Sequence, residues 1–258
     1  MASSLENLFG HETQSLATSD GWGEPNESEG EYRRALIVAA HPDDADFGAA
    51  GTAHLLADLN WEVRYLIITD GSKGSDDPSL SSDELVSIRK QEQLDAANLL
   101  GVQSVRFLDF TDGELVRDLA LLEAVVREIR SFQPFAVYTH DPEPVIIRNS
   151  FINHSDHRAT GLATVDAVYP AARDRLNFPD HLKQGLAPHK VRELYLWGTN
   201  DPNFEVDISN IVDTKISALV AHDSQFNINE EFIEQMRNRW INDDGLYVEE
   251  FRRISIFR

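Results

Sequence analysis

The stretch Ala35-Leu36-Ile37-Val38-Ala39-Ala40-His41-Pro42-Asp43-Asp44 joins an apolar run to a histidine and two aspartates. Six apolar residues in succession are typical of a strand that is buried on both faces. The polar residues follow where such a strand ends. In open parallel sheets, ligands bind beyond the carboxyl ends of the strands. We therefore expect a functional site directly after this first strand.

Beyond this stretch, short apolar runs alternate with amphipathic ones. We predict further strands and helices over these ranges: strands at 63–69, 105–108, 135–139 and 191–197, and helices at 48–59, 83–100, 115–132 and 158–172. Such alternation indicates parallel βαβ units. The predicted fold class is α/β, a Rossmann-like and mostly parallel sheet flanked by helices, with the site at the carboxyl ends of the strands. We predict that residues 1–33 form a polar N-terminal arm and that residues 34–258 form a single domain.

The composition excludes several kinds of site and partner. The 258 residues include no cysteine, so histidine and carboxylate have to hold any metal. The formal net charge of -21 argues against nucleic acid as a partner, and it is also compatible with a salt-rich host. No apolar run reaches the roughly 20 residues of a membrane span. The N-terminus lacks the pattern of a secretory signal, and we predict a cytoplasmic protein.

Histidines and aspartates are concentrated in two loops of the predicted site. His41 and Asp44 lie three residues apart, so both can face one ion, and His157 in the second loop can complete the set. Catalytic zinc sites use about three protein ligands and leave a position for water, and ferrous iron suits the same donors. A metal held there would activate the water as a nucleophile. The structural alternative for His41 and Asp44 is a turn or a helix cap.

Neighbouring residues have the chemistry of acid–base catalysis. Asp43 lies beside the ligands without being needed as one, and it can act as a general base. His154, as an imidazolium, can stabilise an oxyanion and later protonate a leaving amine. Asp156 can orient His154 and raise its pKa, although it can also cap a helix. His140 lies at the end of a predicted strand and is a candidate for substrate contact.

Later motifs follow the first loop in a fixed order along the chain. They are Asp70-Gly71-Ser72-Lys73-Gly74, Arg89 with Glu92, Asp112-Gly113, His154-Ser155-Asp156-His157-Arg158 and, more weakly, His222-Asp223-Ser224-Gln225-Phe226. Together with the first loop they resemble the signature of the PIG-L/LmbE-like zinc-dependent N-deacetylases, from about residue 35 to residue 174. Asp46 stands where relatives commonly carry glutamate, and Ser155 stands where proline is frequent.

The resemblance implies that His41, Asp44 and His157 bind zinc. It also implies that Asp43 is the general base and His154 the electrostatic catalyst. It also implies that Arg89, Asp112 and His222 lie near a sugar. The function it implies is hydrolytic removal of an N-acetyl group from an amino sugar or N-acetylglucosaminyl conjugate, by zinc-activated water with an aspartate base. Relatives often form trimers or hexamers, which predicts a homo-oligomer. We expect substrate choice to depend on 142–153 and 174–190.

Three other functions remain open. A nucleotide-binding oxidoreductase or methyltransferase is expected to have G-x-G-x-x-G after the first strand, where this chain has His41-Pro42-Asp43-Asp44. A magnesium-dependent phosphohydrolase is expected to offer an all-oxygen shell. A non-hydrolytic module that keeps a metal for its structure is expected to close the metal with four protein ligands.

Overall fold

The computed structural model describes the backbone of Gln14–Leu16 and residues 25–256. Most of the predicted arm, 1–13 and 17–24, therefore lies outside the described residues, and the division into arm and domain stays a prediction. The strands are β1 (Gln14–Leu16), β2 (Arg34–Ala39), β3 (Glu62–Thr69), β4 (Ser104–Phe110), β5 (Ala136–His140), β6 (Ile146–Ile147), β7 (Phe151–Ile152), β8 (Glu193–Trp197), β9 (Phe204–Asp207) and β10 (Val248–Ser255). The α-helices are α1 (Asp44–Asp58), α2 (Ser82–Leu99), α3 (Leu119–Phe132), α4 (Ser155–Asp166), α5 (Asp180–Lys183), α6 (Val212–Val220) and α7 (Glu230–Arg239).

Eight strands of the described part form one sheet in the order β1-β9-β10-β8-β5-β2-β3-β4. The five predicted strands correspond to β2, β3, β4, β5 and β8, which run parallel to one another. The predicted fold class is thus confirmed. The sequence did not indicate β10, which runs antiparallel between β8 and β9. The strands β6 and β7 form a separate hairpin between β5 and α4.

The central strand β2 contributes side chains to a core on each face of the sheet. Ala35, Ile37 and Ala39 pack on the side of α1, α2 and α6, whereas Leu36 and Val38 pack on the side of α3 and α4. All five are fully buried. An unbroken apolar run is required here because helices cover both faces. Within residues 25–256, no helix is both long and apolar enough to cross a membrane.

Helix α1 begins inside the first loop, four residues before the predicted start, and it bends at Ala49, where φ is -150°. Beyond the bend, the N–H groups of Gly51 and Thr52 donate to the carboxylate of Glu249, each at 2.8 Å. Glu249 is also paired with Lys215, and both side chains are buried. Lys215 donates in turn to the carbonyl of Phe47 at 2.8 Å. A buried ion pair thus anchors the helix that carries the first loop.

Candidate active site

The carboxyl ends of three parallel strands and the start of α4 bring the predicted site residues together. His41 and Asp44 follow β2, Asp112 follows β4, and His140 is the last residue of β5. His154 precedes the first turn of α4 as its N-cap. Because the strands run parallel, loops that are far apart in sequence meet at one edge of the sheet.

Asp44 lies at the centre of the predicted ligand set. Its Oδ2 is 3.0 Å from Nδ1 of His41, and its Oδ1 is 3.1 Å from Nε2 of His157. Nε2 of His140 lies 3.6 Å from Oδ2. Burial favours the protonated carboxyl, but the charges and hydrogen bonds of these imidazoles outweigh it and hold the pKa of Asp44 well below its usual value.

The other ring nitrogen of His41 faces two further carboxylates. Nε2 lies 3.2 Å from Oδ1 of Asp112 and 3.3 Å from Oδ2 of Asp156. Burial lowers the pKa of His41, but the hydrogen bonds to Asp112, Asp156 and Asp44 outweigh it and raise the pKa to about 12. Metal-ligating histidines commonly donate their second N–H to a carboxylate, which fixes the tautomer and the ring orientation. The arrangement leaves Nδ1 of His41 on the side of Asp44.

The donor set at these residues suits a divalent metal. Three overlapping groups each bring ligand atoms within 4.8 Å of one another: His41 with His154 and His157, Asp44 with His140 and His157, and His41 with Asp112 and Asp156. Imidazole nitrogen and carboxylate oxygen are the donors that zinc and ferrous iron accept. The residues present therefore fit a bound metal.

Asp43, next to Asp44 in the first loop, is not a member of these three groups. Its carboxylate lies 3.2 Å from the guanidinium of Arg89. Burial and the neighbouring charge of Asp44 raise the pKa of Asp43 to about 6, although Arg89 opposes the rise. Its backbone has φ 98° and ψ -34°, a region that costs a non-glycine residue of the order of 1–3 kcal/mol. A carboxylate that lies beside the cluster without being needed as a ligand, and whose pKa is raised, has the properties of a general base.

The backbone N–H of Asp156 contacts the ring of His154, whereas the sequence suggested that the Asp156 carboxylate would orient it. The backbone N–H of Asp156 donates to Nδ1 of His154 at 3.2 Å, while the Asp156 carboxylate accepts from the N–H of Gly113 at 2.7 Å. Burial lowers the pKa of His154, and His41 and His157 lower it further; Asp156 opposes this only in part. With Nδ1 as an acceptor, the neutral ring carries its proton on Nε2, where it can act as a hydrogen-bond donor.

His140 lies behind the ligand cluster, with 4 % of its surface exposed. Its ring stacks on His157 at 4.2 Å between centroids, and Nε1 of Trp197 donates to its Nδ1 at 3.1 Å. Gly48 permits this packing, because a Cβ at that position would lie 2.5 Å from the Trp197 ring. His140 thus contacts Asp44 and His157. Its contact with substrate stays a prediction.

Arg89 and His222, which the resemblance placed near the sugar, are enclosed by protein. Arg89 is 4 % exposed and donates to the carbonyl of Pro42 at 2.7 Å, besides its contact with the carboxylate of Asp43. His222 is fully buried, with Nε2 2.8 Å from Oδ2 of Asp46. Their contact with a sugar stays a prediction. In the folded chain both side chains support the first loop.

The two loops expected to govern substrate choice pack against different parts of the fold. Residues 142–153 contain the β6–β7 hairpin, which ends beside His154 and exposes the apolar side chain of Ile152. Residues 174–190 pack along α3, where Arg130 donates to the carbonyl of Asp174 at 3.1 Å and Nε2 of His181 lies 3.2 Å from the carboxylate of Glu123. The part of each loop in substrate choice stays a prediction.

The chain matches the family model "PIG-L: GlcNAc-PI de-N-acetylase" over residues 36–168. It is 35% identical over 201 residues to the diacetylchitobiose deacetylase of Thermococcus kodakarensis, with 78% of this chain and 73% of the relative covered. It is 31% identical over 203 residues to a probable N-acetyl-alpha-D-glucosaminyl L-malate deacetylase 2 of Bacillus cereus, with 75% and 84% covered. The solved N,N'-diacetylchitobiose deacetylase of Pyrococcus horikoshii superposes with a TM-score of 0.79 at 30% identity, over 90% of this chain and 87% of that one.

Proposed function

The chain belongs to the PIG-L (GlcNAc-PI de-N-acetylase) family, and from this premise we propose that it is a metal-dependent hydrolase that removes the N-acetyl group of an amino sugar or N-acetylglucosaminyl conjugate. The observation that carries the proposal is the separation of roles within one site. A cluster suited to a cation lies at Asp44, while the carboxylate of the adjacent Asp43 pairs with Arg89 and is not needed as a ligand, so it can serve in proton transfer. The relatives named above are deacetylases of N-acetylglucosamine compounds, which supports the same reaction.

We assign His41, Asp44 and His157 as the metal ligands. His140 lies beside Asp44 and His157, where it supports the positions of both. Zinc is the metal that we propose, and ferrous iron suits the same donors. When bound, the metal supplies Lewis-acid polarisation of the attacking water and of the amide carbonyl.

Asp43 serves as the general base. Burial and the charge of Asp44 raise the pKa of Asp43, which makes its carboxylate a stronger base towards the attacking water. Arg89 holds the carboxylate in place through its guanidinium, 3.2 Å away. The proton taken up by Asp43 then passes to the amide nitrogen as the C–N bond breaks. The products are acetate and the amino sugar in its protonated, ammonium form, so atoms and charge balance.

His154 stabilises the oxyanion through the proton on Nε2. The backbone N–H of Asp156 occupies Nδ1 and so fixes this tautomer. The neutral ring replaces the imidazolium that the sequence suggested, because burial and two neighbouring imidazoles lower the pKa of His154. A neutral N–H donor placed in advance stabilises developing negative charge without reorganising.

The substrate approaches over the rim formed by the end of β4 and the β6–β7 hairpin. Asp112, next to His41, is the predicted sugar contact nearest the cluster. Lys73 and Glu114 form an exposed ion pair at 2.8 Å on the same rim and offer further hydrogen-bonding groups for sugar hydroxyls. We propose a small N-acetylated sugar as the substrate, a cytoplasmic location and a homo-oligomeric state, the last to be tested by light scattering during size-exclusion chromatography.

The rival functions have less support. The loop after β2 holds the metal cluster, where a dinucleotide site needs glycines and open backbone N–H groups. A structural metal has no use for a buried carboxylate set apart from its ligands, as Asp43 is. None of the three rivals, the magnesium-dependent phosphohydrolase included, accounts for the similarity to deacetylases.

The proposal is tested by metal analysis combined with an amine-release screen on N-acetylglucosamine, N,N'-diacetylchitobiose and N-acetylglucosaminyl malate. We expect one zinc or iron per chain and release of one amine per acetate. Asp44→Asn should lose both metal and turnover. His54→Gln replaces a histidine far along α1 from the first loop and should keep both. A wild-type protein that holds metal but releases no amine from any of the three compounds contradicts the proposal.

A further inference from the structure

The backbone of Asp43 is held in a conformation that an aspartate does not adopt on its own. Its φ of 98° lies in the left-handed half of the map, which glycine tolerates and other residues avoid. Such a conformation persists only where surrounding contacts fix it. The N–H of Asp43 donates to Oε1 of Gln93 at 2.9 Å, and this is a contact from a different helix, α2.

Gln93 is fully buried and both ends of its amide are used. While Oε1 accepts from Asp43, Nε2 donates to Oδ2 of Asp46 at 2.7 Å. Turning the amide over would set its oxygen against a carboxylate and its NH₂ against the backbone N–H. Only one orientation satisfies both neighbours, so the position of Asp46 determines that of the acceptor facing Asp43.

Asp46 is in turn fixed by two more buried donors. Nε2 of His222 lies 2.8 Å from Oδ2, and the hydroxyl of Tyr65 donates to Oδ1 at 3.2 Å. Asp46, His222 and Tyr65 are fully buried, so these hydrogen bonds do not compete with water. His222 follows α6 and Tyr65 lies in β3, so elements from distant parts of the chain converge on one carboxylate.

The segment that carries His222 is clamped against α2 as well. The carboxylate of Glu92 accepts from the N–H and from the hydroxyl of Ser224, each at 2.7 Å. Phe226 packs edge-on against Phe47 of α1, with 5.3 Å between ring centroids. The motif His222–Phe226 therefore ties the start of α1 to α2 from behind the site.

We propose that Gln93 is a positioning residue that holds Asp43 in its strained conformation, and that Asp46, His222 and Tyr65 fix Gln93 for this task. The inference rests on the proposed role of Asp43 as the base. If residue 43 relaxes, its carboxylate turns away from the attacking water while the metal ligands stay where they are. The loss should therefore fall on kcat rather than on KM.

The first test replaces the amide by a side chain of similar length without hydrogen bonds. Gln93→Met should lower kcat by about tenfold to a hundredfold, the range expected when a reacting group is misplaced by up to about 1 Å. KM and the metal content should stay within about twofold of the wild type. Gln91→Met is the matched control, because Gln91 lies on the exposed side of the same helix, where its amide donates to Asp95. Unchanged kcat in Gln93→Met overturns the proposal.

The second test reverses the polarity of the contact. Gln93→Glu sets two carboxylates against each other and should lower kcat at least tenfold. Asp46→Asn can keep its oxygen towards Gln93 and His222 by turning its NH₂ to the hydroxyl oxygen of Tyr65, so it should lower kcat less. The double variant restores one donor and one acceptor with the same net charge, and Nε2 of His222 can then accept, since its Nδ1 has no hydrogen-bond partner at present. Most of the lost kcat should return. A double variant no better than the poorer single variant overturns the proposal.

A third measurement does not depend on catalysis. Asp43→Gly should unfold at a higher temperature than Asp43→Ala, because glycine accepts φ 98° without strain. The difference should shrink in the Gln93→Met background, where residue 43 can relax. The positioning role is refuted if Asp43→Gly and Asp43→Ala unfold at the same temperature. It is also refuted if their difference is the same with and without Gln93→Met. If the wild type releases no amine, the proposed function is refuted. The unfolding comparison would still test how residue 43 is held, because it does not depend on turnover.

Discussion

Replacing Asp43 by asparagine separates the base from the metal ligands. Asparagine keeps an oxygen facing Arg89 and leaves the contacts of Asp44 with His41 and His157 untouched. We expect full metal content and a kcat lower by about 10²–10⁴, the usual contribution of a general base, which corresponds to roughly 3–5 kcal/mol. The assay is single-turnover acetate release beside metal analysis of the same sample.

The same substitution should stabilise the metal-free protein. Burial and Asp44 raise the pKa of Asp43 from 3.8 to about 6, so keeping it ionised at pH 7 costs the folded state roughly 3 kcal/mol. The folded pKa is the higher one, so this cost is absent below about pH 4 and complete above about pH 6. Metal-free wild type should therefore lose stability relative to Asp43→Asn as the pH rises between these values.

Two results would refute this reasoning. Loss of metal from Asp43→Asn would show that the two aspartates have exchanged roles. The free energies of unfolding of metal-free wild type and variant, measured in urea, could also change by the same amount between pH 4 and pH 7. That result would show that ionising Asp43 does not destabilise the folded state. A variant that is both more stable and nearly inactive is the signature of a group kept under strain for function.

Further predictions concern the ligands, the oxyanion donor, the anchor of α1 and the surface charge. His157→Ala should lose most of the bound metal, because its Nε2 is 3.1 Å from Asp44; full stoichiometry by metal analysis would remove it from the ligand set. His154→Ala should keep the metal and lower kcat by about 10²–10³, the cost of one oxyanion donor, and a kcat within tenfold of wild type would contradict that role. Lys215→Met should lower the free energy of unfolding by about 3–5 kcal/mol, because it leaves Glu249 buried without its cation; a loss under about 1 kcal/mol in urea unfolding would contradict this. With a formal net charge of -21, the unfolding temperature should rise between low salt and 1 M sodium chloride as repulsion is screened, and a fall would exclude self-repulsion as the dominant effect.

The parallel core and most of the candidate site could be predicted because their signals are local. A strand covered on both faces has to be an unbroken apolar run, as residues 35–40 are, and the proposed catalytic groups follow directly where such a strand ends. The strands β9 and β10 were missed because they lack such a local signal. In β9 and β10 buried and partly exposed residues are mixed, and polar residues such as Glu249 are buried through ion pairs rather than apolar contacts.

The sequence by itself determined the order of elements and the identity of the groups that can bind a metal or move a proton. Only the tertiary structure decided which partner each group has. The carboxylate of Asp156 faces His41 rather than the ring of His154, Gln93 carries no pattern that marks it, and His222 reaches Asp46 across 176 positions of the chain. Residue type and spacing fix what a side chain can do, whereas its pKa, tautomer and orientation depend on neighbours that the packing of distant segments brings within about 3 Å.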